Sequence, residues 1–340
     1  MRKEVIWAAG IGIFFGVIIA FGAWRINSSF KPEQKKVEAT TKPEPTSEFK
    51  ITLDKPENDD VVTEDFVVTS GITKPLSWIT ISGEDGDYLI QALEDGTFKE
   101  EVSLIPGINQ IKITAFDSVG NPSFEKVLVV FSSAFQTRTS TLATTPGQAS
   151  DEATIRQKVI EKVEAALNKP KAYIGIVTDI SDSTIQIKTA KGEIKQISAA
   201  SEDISVVKSS GTTNKSVKLS DVAIGDFIAA MGYINDNSVL QGQRILITTP
   251  IIEPTIEVNF GTIKTNLKDL VITSKIDSSE SKITLNKNTN IYEYTAAKKT
   301  KIKQADLDAD SLIIYVNSGT TVTPIIRTIF VVQKPQTETN

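Results

Sequence analysis

The chain has 340 residues, a formal net charge of −5, and neither cysteine nor histidine. Without cysteine, stability outside the cytoplasm has to come from packed cores rather than disulfides. The lack of histidine removes the commonest general base and metal ligand, and the negative charge argues against a nucleic-acid partner. Thr, Ser, Val and Ile are abundant outside the first 25 residues and helix-period segments are few, which is an all-β composition.

From Val5 to Trp24 the chain reads VIWAAGIGIFFGVIIAFGAW, with no charge. At about 1.5 Å per residue, a helix over 5–24 spans roughly 30 Å, the hydrocarbon thickness of a bilayer. Arg2 and Lys3 precede it, so the positive-inside rule leaves residues 1–4 in the cytoplasm and exports everything that follows. A cleaved signal peptide is the competing reading, but its apolar region usually runs about 7–15 residues. The best cleavage candidate here, Ala20-Phe21-Gly22, lies inside the apolar run. Trp7 and Trp24 sit near the two ends, as interfacial anchors do. Ala8, Gly12, Gly16 and Ala20 share one face, and Gly12-x-x-x-Gly16 matches a close-packing motif that points to self-association. The plainer alternative is that small residues are common in membrane helices. Residues 25–48 are polar, with Pro32, Pro43 and Pro45, and read as a linker spanning about 25–30 Å.

Residues 49–132 carry seven short, mostly alternating runs: 49–53, 65–70, 78–82, 88–92, 97–102, 110–116 and 126–131. Turn signals separate them, among them 57–60, 83–86 and 94–96. This spacing predicts a β-sandwich of immunoglobulin type. The run 110–115 alternates polar and apolar residues, as a half-buried strand does. The blocks Gly71-Ile-Thr-Lys-Pro75, Asp95-Gly-Thr-Phe98, Leu104-Ile-Pro-Gly-Ile-Asn109 and Ala115-Phe-Asp-Ser-Val-Gly-Asn121 resemble bacterial extracellular Ig-like repeats of the glucodextranase domain-B-like kind. That resemblance implies a spacer, adhesion or accessory module and carries over no catalytic residue.

A second linker, 133–150, is rich in Ser and Thr. An amphipathic helix is expected over 151–169, with Ser150 as N-cap, Asp151 and Glu152 in its first turn and Pro170 ending it. Its apolar face is Ile155, Val159, Val163, Ala166 and Leu167, expected to pack on the next domain, with oligomerisation or membrane-surface contact as alternatives.

Residues 171–250 and 255–333 read as two versions of one unit, each a small β-barrel of five or six strands, followed by a tail at 334–340. Ile174-Gly175-Ile176-Val177 parallels Phe260-Gly261-Thr262-Ile263, and the segment 183–188 is matched with 281–285. The segment 219–226 is matched with 307–311, and Arg244-Ile245 with 327–329. The first copy, through Gly175, Leu219, Val222 and Gly225-Asp226, resembles an uncharacterised bacterial extracytoplasmic small β-barrel family. The second has Ala309-Asp310-Ser311 in place of the Gly-Asp pair. The resemblance implies an OB-like or related barrel and no known activity.

Candidate chemistry is sparse. Lys298, Lys299, Lys301 and Lys303 form one basic cluster, a candidate contact for an anionic polymer or phospholipid, or else a solvated strand edge. Adjacent acids such as Glu84-Asp85 and Glu94-Asp95 sit at predicted turns and read as turn chemistry rather than a glycosidase pair. Calcium is the one cofactor to consider, with Asp59, Asp60, Asp117 and Asn121 converging at one end of the sandwich. The expectation is a non-enzymatic, single-pass cell-membrane protein of the bacterial envelope. Its rod-like all-β ectodomain would bind or space wall polymer, glycan or protein, or else serve as an accessory scaffold of a secretion or surface assembly.

Overall fold

The computed structural model of the chain describes residues 49–135, 169–200, 204–210, 213–250, 256–267, 269–295, 298–320 and 323–335. The expected membrane segment 5–24 with Trp7, Gly12, Gly16 and Trp24, the linker 25–48, most of the linker 133–150 and all but the last residue of the helix expected over 151–169 lie outside the described residues. Among the described residues no helix is long and apolar enough to cross a membrane.

The first module is a sandwich of two sheets. One sheet is β1 (Thr52–Lys55), β3 (Phe66–Ile72) and β6 (Thr97–Ser103), in the order β1-β3-β6. The other is β2 (Asp60–Val62), β8 (Pro122–Phe131), β7 (Gly107–Phe116), β4 (Trp78–Ser82) and β5 (Asp87–Gln91), in the order β2-β8-β7-β4-β5. Ile79, Ile81, Ile111, Ile113, Val127 and Val129 from the second sheet meet Val67, Phe98 and Val102 from the first, and together they form the core.

Two departures from the sequence reading matter here. Strand β2 occupies a stretch whose start reads as a turn; three residues are too few to show a period. The polar face of β7 is not solvated either. Gln110 is 4% exposed, Thr114 2%, and Thr80 and Ser82 on β4 are fully buried. Both faces of this sheet are covered, the inner one by the sandwich core and the outer one by the two modules that follow.

The second module runs β9 (Lys171–Ser181), β10 (Thr184–Lys188), β11 (Ile194–Ser198), β12 (Ser205–Ser210), β13 (Thr213–Val217), β14 (Phe227–Ile234) and β15 (Leu240–Thr248). Strands β9-β10-β11-β15-β14 pair in turn, and β14 pairs back to β9, which closes the sheet on itself. Strand β12 extends the same edge of β15 in parallel and carries the hairpin partner β13. The third module repeats the succession: β16 (Glu257–Asn266), β17 (Leu270–Ser274), β18 (Glu280–Ile283), β19 (Asn290–Thr295), β20 (Lys298–Lys301), β21 (Leu312–Thr320) and β22 (Thr323–Gln333). A one-turn 3-10 helix stands between fifth and sixth strands in both, Leu219–Asp221 and Gln304–Asp306. The pairing β11 makes with β15 has no counterpart between β18 and β22 among the described residues, so the second barrel expected over 255–333 is left open at that seam there.

Hydrogen bonds set the equivalences. Gly225 N–H donates to Val177 O (2.9 Å) and Val177 N–H to Asp226 O (2.8 Å); Asp310 N–H donates to Ile263 O (2.7 Å) and Ile263 N–H to Ser311 O (3.0 Å). Asp310-Ser311 therefore stands where Gly225-Asp226 stands, and Asp310 takes the left-handed backbone (φ 63°) that Gly225 takes (φ 96°). Three sequence matches are corrected by the pairing. The segment 281–285 overlaps β18, the counterpart of β11, whereas the match for β10 is β17. The counterpart of Leu307 is Val222, since each follows its 3-10 turn and is buried. Arg244 matches Thr328 rather than Arg327, because Ile245 and Ile329 share a register and the arginines fall one residue apart. Both last strands carry a bulge at this point, and Arg327 is its extra residue, the counterpart of Gln243.

The barrels do not follow the sandwich end to end as a rod. The residues from Phe49 onward group into one unit, and both barrels sit on the outer face of the β2-β8-β7-β4-β5 sheet. The first packs Ala172, Ile174, Ala229, Met231 and Leu246 against Val61, Val130, Ile108 and Phe135. The second packs Phe260, Ile314, Val316 and Phe330 against Trp78, Leu89 and Phe116. Ile174 pairs with Ala229 and Phe260 with Ile314, so the two copies dock through the same outer face.

Gly175 pairs with Ile228 and its counterpart Gly261 with Ile313. A Cβ on Gly175 would overlap the carbonyl of Lys188, and one on Gly261 would lie 2.7 Å from the carbonyl oxygen of Thr273. Gly175→Ala and Gly261→Ala should each cost about 3 kcal/mol by overpacking, read as a lowered urea midpoint of the full chain. Unchanged midpoints would show that these close approaches do not constrain the barrels.

Candidate binding clefts at the module junctions

The first junction is built on charge. Asp60, on β2, pairs antiparallel with Lys171 on β9, and Ala172 N–H donates to Asp59 O (2.8 Å), so the sandwich sheet continues into the barrel. The Lys171 ammonium lies 2.8 Å from Asp60 Oδ1 and 2.7 Å from Glu57 Oε2, and the Lys169 ammonium 2.9 Å from Asp60 Oδ2 and 3.1 Å from Glu57 Oε1. The Asp60 side chain is 6% exposed. A carboxylate so buried is held in place because both oxygens meet ammonium groups. Hydrogen bonds from Lys171 first and Lys169 second lower the pKa of Glu57 to about 2.

Beside this network opens a cleft of about 510 Å³. Its floor is apolar: Leu128 from β8, Ile174 from β9, and Phe227 and Ile234 from the two ends of β14. The hairpin between β10 and β11, residues 189–195, forms one wall. Gln110, Asp59 and Tyr173 are among the polar residues that line it. The Gln110 side chain has no hydrogen-bond partner among the described residues, although the residue is 4% exposed. Asp59 adopts a left-handed backbone (φ 64°), and burial pushes its carboxyl above the usual range against pulls from Asn58 and Lys171. Tyr173 donates its hydroxyl to Ser238 O (2.8 Å), and its ring lies 5.7 Å from the Lys195 ammonium.

The second junction is apolar at its centre and polar at one rim. Thr328 Oγ1 donates to the buried Asp87 Oδ2 (2.7 Å), and Arg327 donates to Gly83 O (2.9 Å) and lies 3.5 Å from Asp87 Oδ1. The Lys299 ammonium sits 4.0 Å from the centre of the Tyr292 ring and 3.4 Å from Asp87 O. Burial pushes Lys299 below its ordinary pKa against pulls from Asp87 and Glu100. Here a second, more polar cleft of about 580 Å³ opens between the β4–β5 turn and the 286–290 loop.

The residues singled out by sequence fall in separate places. Asp59 and Asp60 belong to the first junction; Asp117 and Asn121 stand beyond the far end of β7. Asp60 aligns with Val129 and so with Asn109, and seven residues of strand separate that level from Phe116, roughly 23 Å. The four therefore do not converge on one calcium ion, and among the described residues no cluster of three or more acids could hold a metal. Asp117 closes its own turn instead. Its Oδ1 accepts the backbone N–H groups of Val119 (2.9 Å), Gly120 (2.8 Å) and Asn121 (2.9 Å), and Asn121 Nδ2 donates to Oδ2 (2.9 Å). The lysines are divided as well. Lys299 turns into the second junction, Lys301 donates to Asn290 Oδ1 (3.0 Å), and the Lys303 N–H is capped by Asp306 (2.9 Å). Lys298 is exposed on β20. Sequence reasoning missed Gln110, Arg327 and Asp87, since a polar residue on an alternating strand looks the same whether water or another domain covers it.

No protein-family model matches the chain, and no curated protein matches it. Several solved structures are similar to it at low identity. A calcium-stabilised adhesin with which an Antarctic bacterium binds ice is 16% identical over 83% of this chain and 72% of that one, with a TM-score of 0.19. A tetra-tandem repeat from the extending region of a large adhesion protein is 11% identical over 83% and 72%, with a TM-score of 0.21. The central fibronectin-III array of a RIM-binding protein is 10% identical over 84% and 96%, with a TM-score of 0.18. Scores this low say nothing about function.

Two outcomes follow from the junction chemistry. Glu57 has a folded pKa below its ordinary value, so its contribution is fully present above about pH 4.5 and is lost as pH falls toward about 2. Urea midpoints of the full chain should drop across that window, and Glu57→Gln should flatten the drop; an equal slope in both proteins would refute the assignment. Asp87→Ala removes the acceptor of Thr328 and the carboxylate beside Arg327 and should cost about 1–3 kcal/mol. Amide exchange should then quicken at Thr80 and Thr114 beneath the second barrel, and unchanged protection there would mean that the apolar contacts suffice.

Proposed function

We propose that the chain is a membrane-anchored protein of the bacterial envelope. In this reading its ectodomain is an immunoglobulin-like sandwich carrying two OB-like barrels, and it binds and spaces rather than catalyses. The observation that carries the reading is the shared docking face. Three modules pack through one doubly buried sheet, so a tethered base would present two clefts in a set orientation. Strand order supports the two fold assignments: a short strand parallel to the last one in the sandwich, and a five-strand closure with one parallel pair in the first barrel. The uncharged run 5–24 supports the anchor, with the bulk outside. Tethering raises local concentration, so modest single contacts would suffice for wall polymer, glycan or another envelope protein.

Protease added to intact spheroplasts should degrade the bulk of the chain; full protection would overturn the outside-facing topology. Detergent-solubilised full-length protein should be enriched on purified sacculi or should co-purify with a defined envelope protein. Enrichment on bare sacculi identifies wall polymer or glycan as the ligand class, and capture of a stoichiometric protein identifies a protein ligand. Recovery of neither would refute the binding role.

A further inference from the structure

The cleft of about 510 Å³ at the first junction has the size and make-up of a ligand site: an apolar floor with a few inward-facing polar groups. Its floor comes from two modules, Leu128 on the sandwich and Ile174 and Phe227 on the barrel. The cross-strand neighbour of Leu128 is Gln110. Its side chain faces the cleft in a residue only 4% exposed and meets no partner among the described residues. Gln110 is not among the side chains whose polar atoms are sealed without a partner, so what its carboxamide still exposes opens into the cleft and is free to meet a group brought from outside.

The chemistry of that group is constrained. A carboxamide presents one acceptor and two donors side by side, the complement of a peptide unit. Asp59, which also lines the cleft, adds acceptors for an N–H. An acyl chain would cover Ile174 and Phe227 but leave the Gln110 carboxamide without a partner. A sugar would meet the polar groups but offers little apolar surface to the floor. A peptide with an apolar side chain satisfies both halves.

We infer that this cleft takes an extended apolar segment of another polypeptide, its side chain on Ile174 and Phe227 and its backbone amide on Gln110. The inference rests on the reading of the ectodomain as a binding module and narrows it to a peptide ligand at one junction.

The test uses the full-length chain in detergent. The probe is a pool of acetylated, amidated pentapeptides of Leu, Val, Ala and Thr around a central benzoylphenylalanine. After irradiation, crosslinks should concentrate at residues 189–195 and 227–238. Ala190→Trp, placed on the exposed hairpin to plug the mouth, should cut them about tenfold, and Gln110→Leu by a comparable factor. Urea midpoints matching wild type would show that both variants fold. Crosslinks scattered over the surface, or unaffected by both substitutions, overturn the inference. So does a benzophenone-tagged palmitate that labels the same residues more strongly and is indifferent to Gln110→Leu, which would assign the cleft to an acyl chain. If Ala190→Trp still captures sacculi or an envelope protein while peptides never label the cleft, only this inference falls. If wild type captures nothing, the broader binding role falls with it.

Discussion

The second sheet of the sandwich is buried on both faces, and the rest of the architecture follows from that. A sheet with one wet face can stand alone; this one has Thr80, Thr114 and Ser82 sealed beneath other modules. Burying hydroxyls contributes little by itself and costs stability wherever they lack partners. The gain comes from the apolar residues set among them. Val61, Val130 and Ile108 serve one barrel; Trp78, Leu89 and Phe116 serve the other. The sheet is thus a platform with two apolar patches and a polar strip between them.

Each barrel meets the platform with the same outer face, adapted by residue size. Where the first copy has Ala172 and Ala229, the second has Val258 and Ile314. Small residues let the first barrel approach closely enough for β9 to pair with β2 and for Lys171 to reach Asp60. Larger ones face the second patch, where aromatic contacts such as Phe116 on Phe260 (5.5 Å between ring centres) form. Different side chains on one shared face thus give two different junctions. The clefts lie where these mismatched surfaces leave room.

Much of the fold could be read along the chain. Strands β4 and β7 stand out because alternation is strong and turn residues bracket them. The all-β class follows from composition, and the repeat shows in Gly175 and Gly261, which only a close strand approach explains. What could not be read shares one cause. β2 is too short for a period, and its acidic start looks like a turn until lysines from the next module neutralise it. The lysine run 298–303 looks like one patch, yet strand alternation and the docked sandwich pull Lys299 away from it.

Sequence alone determined the β-built class, the seven main sandwich strands and the presence of two related units, because these depend on contacts among near neighbours in the chain. Tertiary structure decided which face of each strand is dry, which charges are paired, and that the calcium candidates stand far apart. Those outcomes depend on partners such as Lys171 for Asp60 and Arg327 for Gly83, which lie more than a hundred residues away. A local pattern carries no information about a surface that only docking creates.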